Sequence, residues 1–280
     1  MLYEKNKALA LADELFKEPT AEYRGTPFWS WNCELEEKEP ITHNIKLRFR
    51  VNSEIRVYGA RLAVETPDKA EILWNGVRLS NKVNGYYVDR SIKTVRIPVI
   101  NKGENILELT LPFGKRTASE WCYIIGDFGT KVIGSETFIV PFAKGLGYGD
   151  IVPQTLSFYS GALDYHLDID TPKDGELVIR VPQYRGTLIE VLLDGESVGD
   201  AVYPPYRLTL GRVSAGAHRV TLRLYVPRTN GFGPVHLADE KLVWFGPGAW
   251  RTSGDSFGYE YHFHTEGIMM KPTLELLSEE

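Results

Sequence analysis

The chain has 280 residues, 43% hydrophobic and 12% aromatic, enough apolar material for two cores of ordinary domain size. Its 32 basic and 37 acidic side chains leave a net charge of −5 with no basic stripe, which argues against nucleic-acid and anionic-membrane partners. No stretch of eighteen apolar residues exists to cross a membrane as a helix, and two cysteines, Cys33 and Cys122, suggest neither a disulfide framework nor a metal site.

The first twenty residues mix acids among apolar positions, unlike a secretory leader, so a cytoplasmic location is the expectation. Leu9, Leu11, Leu15 and Phe16, with Ala8, Ala10 and Ala12 between them, predict a short helix over residues 3–18 that Pro19 ends. The following RGTPFWSWN reads as an extended arm carrying Phe28, Trp29 and Trp31, because Pro27 disfavours helix before it. Glu34 to Pro40 is a charged break, so residues 1–40 form an N-terminal helix and arm.

From Ile41 the pattern is β throughout. Ile45, Leu47, Phe49 and Val51 alternate with Lys46, Arg48 and Arg50, the signature of a half-buried antiparallel strand. RLAVE, AEILW, TVRIPVI, NILELTL and CYIIGDF follow; a second series runs TFIVPF, YHLDID, GELVIRVP, IEVLLDG, YRLTL, HRVTLRLYV and KLVWF. No helical period separates them, which fits sandwiches or jelly rolls rather than βαβ units.

An internal echo divides this β region. Residues 72–109 contain a strand, the turn Asn75-Gly76, a strand, a loop, then Gly103-Glu104-Asn105 and an alternating strand. Residues 189–224 repeat that order around Asp194-Gly195 and Gly216-Ala217-His218, with mostly different residues. Asn-Gly and Asp-Gly mark type I′ hairpins, whose two central residues need positive φ. The expectation is an all-β chain of two sandwich domains, residues 41–129 and 130–280, divided near Gly129 or elsewhere within 126–136.

The strings LAVETPDKAEILWNG, GYYVDRSIKTVRIP, KGENILELTLPFG and CYIIGDFG, then FYSGALDYHLDID, EVLLDG, YPPYRLTL and RTNGFGPVH, carry a resemblance. Over roughly residues 41–275 the chain resembles the C-terminal accessory region of bacterial α-L-rhamnosidase-like glycoside hydrolases of family 106, and also the accessory sandwiches of family 2 glycosidases. The resemblance implies two tandem galactose-binding-like jelly-roll β-sandwiches behind the short helix and arm. PFWSWN is similar to the segment that opens the catalytic barrel of such enzymes. A barrel needs about 200 residues or more, yet Ile41 follows almost at once, so the chain resembles the two ends of such an enzyme without its middle.

Glycoside hydrolysis needs two carboxylates across a cleft. Glu34, Glu36 and Glu37 adjoin PFWSWN but read as a charged linker, and without the barrel hydrolysis is the least favoured function. The leading expectation is a non-catalytic carbohydrate-binding module for an oligosaccharide or plant polysaccharide. A sugar site needs an aromatic platform and a few directed polar groups. The candidates are Tyr86, Tyr87 and Trp121 in the first domain, and Arg228, Asn230, His236, Trp250 and Arg251, with Asp255 nearby, in the Gly-rich loops of the second. Core filling or interdomain packing is the competing account of each.

The alternative function is a structural or assembly protein, whose surfaces, no longer packed on a barrel, form a homo-oligomer or are covered by the N-terminal arm. No cofactor is expected. A structural calcium near Asp168 and Asp170 is the one exception, since the resemblance implies such ions near acidic loops, although turn chemistry also accounts for these residues. Glu260, His262 and His264 make a three-ligand row if they share a strand face, against the simpler reading of a solvated face. GLGYGD at 145–150 lacks the lysine of a phosphate loop and reads as a flexible loop.

Overall fold

A computed structural model describes residues 43–113, 122–239, 241, 249 and 253–277. The expected N-terminal helix and arm, the KLVWF strand beyond Lys241, and the candidates Trp121, Trp250 and Arg251 lie outside the described residues. The rest is almost wholly β, as the alternating patterns predict, and it forms two compact units. One comprises the described residues up to Phe142 together with His236–His262; the other comprises Ala143–Val235 and the described residues from Phe263.

The first unit is a β-sandwich. Its larger sheet contains β1 (His43–Ser53), β4 (Glu71–Trp74), β5 (Val77–Arg78), β9 (Gly103–Phe113), β11 (Gly129–Ile133) and β12 (Glu136–Val140), in the order β11-β12-β1-β9-β4-β5. The second sheet contains β3 (Arg61–Val64), β6 (Val83–Tyr87), β7 (Asp89–Arg96) and β10 (Tyr123–Ile125), in the order β10-β3-β7-β6. A short pair, β2 (Val57–Tyr58) with β8 (Val99–Ile100), completes it. Strands β1 and β9 pair antiparallel along their full length, from His43↔Phe113 to Ser53↔Gly103. Every second residue of β9 from Asn105 to Phe113 is buried, and Leu107, Leu109 and Leu111 meet Leu62, Val64 and Val95 of the other sheet in one core.

The GDFG signal is a turn, but it does not end this unit. The hairpin β11–β12 that follows returns to the sheet, with β12 parallel to the end of β1 through Asn52↔Phe138 and Ser53↔Ile139. The division of the chain therefore comes after Phe142 rather than near Gly129, and residues 236–262 rejoin the first unit.

The second unit repeats the plan. Strands β13 (Gly161–Thr171), β16 (Leu188–Leu193), β17 (Glu196–Ala201) and β19 (Gly216–Val226) form a sheet in the order β13-β19-β16-β17. Facing residues come from β14 (Gly175–Arg180), β18 (Arg207–Val213) and β21 (Thr273–Leu277), in the order β18-β14-β21. A pair of short strands, β15 (Tyr184–Arg185) and β20 (Gly267–Ile268), and one turn of helix, α1 (Thr229–Phe232), complete the unit. β13 and β19 pair over eleven residues, from Gly161↔Val226 to Thr171↔Gly216, as β1 and β9 do. Val220, Leu222 and Leu224 point inward onto Leu177, Ile179 and Leu210.

The sequence echo has a shared physical device. Asn75 and Gly76 have φ of 51° and 78°, and Asp194 and Gly195 have φ of 50° and 91°, as type I′ hairpins require. Asn75 donates its N–H to the Ile106 carbonyl at 2.8 Å, and its side-chain oxygen accepts the Ile106 N–H at 2.7 Å. Asp194 does the same with Arg219: its N–H reaches the Arg219 carbonyl at 2.8 Å, and its carboxylate accepts the Arg219 N–H at 2.8 Å. Each hairpin is thus clamped to the neighbouring long strand.

The residue before the clamped one differs between the units. Asn105 is fully buried, accepts from Asn75 Nδ2 at 3.0 Å and from the Asn101 N–H at 2.9 Å, and donates to the Asn101 carbonyl at 2.7 Å. In its place the second unit has His218, whose Nδ1 lies 2.7 Å from the Asp194 carboxylate and whose Nε2 lies 2.9 Å from the Ser214 carbonyl. Both ring nitrogens face acceptors, so the doubly protonated imidazolium fits best. Asp194 first, then Ser214, raises the His218 pKa above its ordinary value. The Arg219 N–H first, then His218, holds Asp194 below the usual carboxylate range.

Two outcomes follow from the clamps. Asn75→Ala should lower the unfolding free energy by about 1–3 kcal/mol, from the lost hydrogen bond and an alanine held at positive φ. Asn75→Gly keeps the conformation and should lose less, as urea unfolding midpoints will measure. The His218–Asp194 contribution is complete below about pH 6.5, the unfolded histidine value, and falls as pH rises through the higher folded value. At the acid end it is present above about pH 4 and is lost as pH drops through the depressed Asp194 value. The melting-temperature gap between the natural protein and His218→Asn should therefore be widest near pH 5–6 and close at alkaline pH.

Candidate functional site

The outer face of the β13-β19-β16-β17 sheet is a poor place for a ligand because several of its charged groups are already engaged. On the outer face of the second unit, Arg219 grips Asp168 with bonds of 2.6 and 3.2 Å, and Arg223 grips Asp164 with bonds of 2.8 and 2.9 Å. Tyr225 donates to Glu190 at 2.9 Å, with Arg223 3.8 Å from the same carboxylate. The Arg223 hydrogen bonds hold Asp164 below the usual carboxylate range, and Arg219 does so for Asp168. These charges lie side by side across paired strands and close on one another.

This ladder disposes of calcium at Asp168 and Asp170. Both residues lie within β13 rather than in an acidic loop, and a guanidinium already occupies both oxygens of Asp168. The row of Glu260, His262 and His264 does not lie on a strand either: the backbone there is irregular, and His262 and His264 belong to different units. Among the described residues, no group of three or more His, Cys, Asp or Glu side chains is placed to hold a metal ion.

The loops sort the expected sugar-binding residues into two kinds. Asn230 is 1% exposed; its Nδ2 donates to the His264 carbonyl at 2.8 Å and its Oδ1 accepts the His264 N–H at 2.9 Å. It fastens α1 to the chain that leads into β20, and both ends of its amide are engaged. His236 is also buried, with Nδ1 3.1 Å from the Gly258 carbonyl and 3.2 Å from that of Glu260, and its ring 4.5 Å from Tyr261. Burial, the largest influence, pushes its pKa down. Both residues brace loops from within. Arg228, by contrast, is exposed at the head of α1.

In the first unit, Tyr87 packs its ring against Tyr123 at 5.5 Å between centroids, while its neighbour Tyr86 is 57% exposed. Tyr86 lies on β6, an edge strand, opposite Lys93. The β6–β7 ladder is irregular between Tyr86 and Tyr87, and the two tyrosines differ in exposure and contacts.

The most exposed large hydrophobic side chain among the described residues is one that neither turn signals nor motif spacing singles out. Tyr203 is 81% exposed on the loop Val202–Tyr206 that joins β17 to β18. The base of that loop is tied down. Tyr206 has φ of 51°, donates its N–H to the Tyr203 carbonyl at 3.0 Å, and accepts the Val181 N–H at 3.0 Å. Its ring meets that of Tyr184 edge-on at 5.0 Å, and the Tyr184 hydroxyl donates to the Ala201 carbonyl at 2.9 Å. Pro204 and Pro205 limit the freedom of the loop further. Tyr203 is presented on a fastened loop while its partner Tyr206 is spent on packing. The readable signal was the Tyr-Pro-Pro-Tyr string itself.

No protein-family model matches the sequence, and no curated protein matches it. Among solved structures, the chain is similar to a rhamnosidase from Novosphingobium sp. PP1Y, with 15% identity and a TM-score of 0.32, over 82% of this chain and 22% of that one. It is also similar to a GH2 β-galacturonidase from Eisenbergiella tayi, with 21% identity and a TM-score of 0.30, over 54% of this chain and 23% of that one. A third is a glycosyl hydrolase family 2 member from Bacteroides cellulosilyticus, with 13% identity and a TM-score of 0.20, over 65% of this chain and 23% of that one. The chain spans less than a quarter of the length of each of these glycoside hydrolases.

The two tyrosines of the loop should separate in stability measurements. Tyr203→Ala should change unfolding free energy by no more than about 0.5 kcal/mol, as for an exposed side chain with few contacts. Tyr206→Ala removes a packed ring and a residue tolerated at positive φ, and should cost about 2–4 kcal/mol in the same chemical denaturation experiment.

Proposed function

We propose that the protein is a non-catalytic carbohydrate-binding module, related to the accessory β-sandwiches of glycoside hydrolases, and that Tyr203 is its stacking platform. The observation that carries this reading is the high exposure of Tyr203 on a loop fastened by Tyr206, Tyr184 and Ala201. A sugar ring offers a face of C–H groups that suits a flat aromatic surface, and a platform held rigid before binding loses little entropy on contact. The sequence resemblance to accessory sandwiches of rhamnosidase-like and family 2 glycosidases supports the same ligand class: an oligosaccharide, or a plant polysaccharide presenting rhamnose, galactose or uronic acid units.

A second reading has its own observation. Val77, Val83, Tyr86 and Val88 of the first unit are all exposed, and β5 and β6, which hold the first three, are edge strands. Exposed apolar edges invite pairing with another chain, so a structural or assembly role, including a homo-oligomer, competes with sugar binding.

Glycan-array binding separates the two. The expected result is retention of a defined set of glycans by the natural protein and at least a tenfold loss of affinity in Tyr203→Ala. Binding left unchanged in Tyr203→Ala overturns the platform, and silence of the folded protein on every glycan, together with a stable oligomer in solution, favours assembly.

A further inference from the structure

The smaller sheet of the first unit places two arginines side by side. Arg61 of β3 and Arg96 of β7 are direct cross-strand partners, and the next pair along, Leu62 and Val95, is fully buried in the core. Alternation therefore turns both arginines to the outer face, which they share with the pair Ala63 and Thr94 two residues further on. Among the described residues, neither guanidinium takes part in a hydrogen bond or an ion pair. Arg219 and Arg223 of the second unit, by contrast, each grip an acid. Like charges directly opposite each other on a sheet are destabilising, and a guanidinium cannot shed its proton to escape.

The same face carries a pair of aromatic rings. Tyr123 lies on β10 opposite Ala63, and Tyr87 ends β6, at the other edge of the sheet. Their ring centroids are nevertheless 5.5 Å apart, so the two side chains reach toward each other across β3 and β7. Ala63 and Thr94, the paired residues on the strands between, are both fully buried. Thr94 donates its hydroxyl to Asn84 Oδ1 at 2.9 Å, which leaves the amide nitrogen of this exposed asparagine to donate outward. Gly85 follows with φ of 144°; a Cβ there would lie 3.3 Å from Thr94 Oγ1 and 3.8 Å from Arg61 Nη1. The Arg61 guanidinium thus reaches across β7 to the side of Gly85. Two residues along a strand span about 6–7 Å, so the arginine pair and the ring pair are neighbours on this face.

We propose that Arg61 and Arg96 bind the carboxylate of a uronic acid residue whose sugar ring packs on Tyr87 and Tyr123. Guanidinium groups match a carboxylate through planar, two-point hydrogen bonds. The aromatic pair gives the C–H groups of the sugar an apolar surface, and Asn84 adds a directed donor of the kind that fixes orientation. The bound anion would also offset the repulsion between the two arginines. A net charge of −5 disfavours a densely charged polyanion such as nucleic acid. The ligand class rests on the carbohydrate-binding reading, but the site is separate from its platform: these residues belong to the first unit and Tyr203 to the second.

Calorimetric titration of the full chain with trigalacturonic acid, with its methyl ester and with inorganic phosphate tests this. The acid should bind at least tenfold more tightly than the uncharged ester and more weakly as salt is raised, and phosphate should not displace it. Arg61→Gln and Arg96→Gln should each lose at least tenfold in affinity for the acid. Their melting temperatures should equal or exceed that of the natural protein, because a like-charge pair has been removed; should Arg61→Gln not fold, Arg96→Gln, at the more exposed position, carries the test. Tyr203→Ala should keep the preference for acid over ester. No binding of the acid, equal affinity for acid and ester, undiminished binding in the arginine variants, or displacement by phosphate overturns this site and leaves a neutral-sugar platform at Tyr203 standing. Arginine-dependent binding of the acid with no effect of Tyr203→Ala on any glycan supports this site and overturns that platform.

Discussion

The side chain at the first position of each type I′ turn fixes the register on which both units depend. Asn75 and Asp194 each offer an oxygen to the N–H of the adjacent long strand, while their own N–H bonds that residue's carbonyl. Slipping a strand by one residue would exchange its buried and exposed faces. With Ile106 and Arg219 held at the clamp, Leu107 and Val220 fall inward, and the alternation carries on to Phe113 and Val226. The hairpin, the long central strand and the core are one cooperative arrangement, anchored by a local hydrogen bond that costs little chain entropy to close.

Much of this plan was legible in the sequence because it rests on short-range chemistry. Asn-Gly and Asp-Gly announced positive φ at both turn positions, and alternation in NIKLRFRV and HRVTLRLYV assigned the buried faces. The limits of legibility were long-range. GDFG is a real turn, but no local signal indicates that β12 then runs parallel to β1 or that residues 236–262 return to the first unit. Asn230 and His236 had the composition of a binding loop; their polar atoms proved to be engaged by the backbone of His264, Gly258 and Glu260.

The distribution of polar groups separates scaffold from surface available to ligands. Across the outer sheet of the second unit, Arg219 and Arg223 on β19 face Asp168, Asp164 and Glu190 on the paired strands and engage them in ion pairs. Exposed pairs of this kind contribute little stability individually. Tyr203 breaks that pattern. It stands at the end of the sandwich, in a loop whose other aromatic residue is turned inward, and binding residues on such loops gain precision from the rigid strands beneath them.

The interleaved division of the chain has a bearing on synthesis. The first unit includes His236–His262, and the second is completed by β21, Thr273–Leu277. As the polypeptide leaves the ribosome, the first unit cannot acquire residues 236–262, nor the second unit β21, until the strands of both have been made. Early-made strands such as β1 and β9 must wait, with some of their final neighbours still unmade, far longer than in a string of self-contained domains. Nascent chains are thereby exposed to chaperones and to misassembly until residues 236–262 arrive.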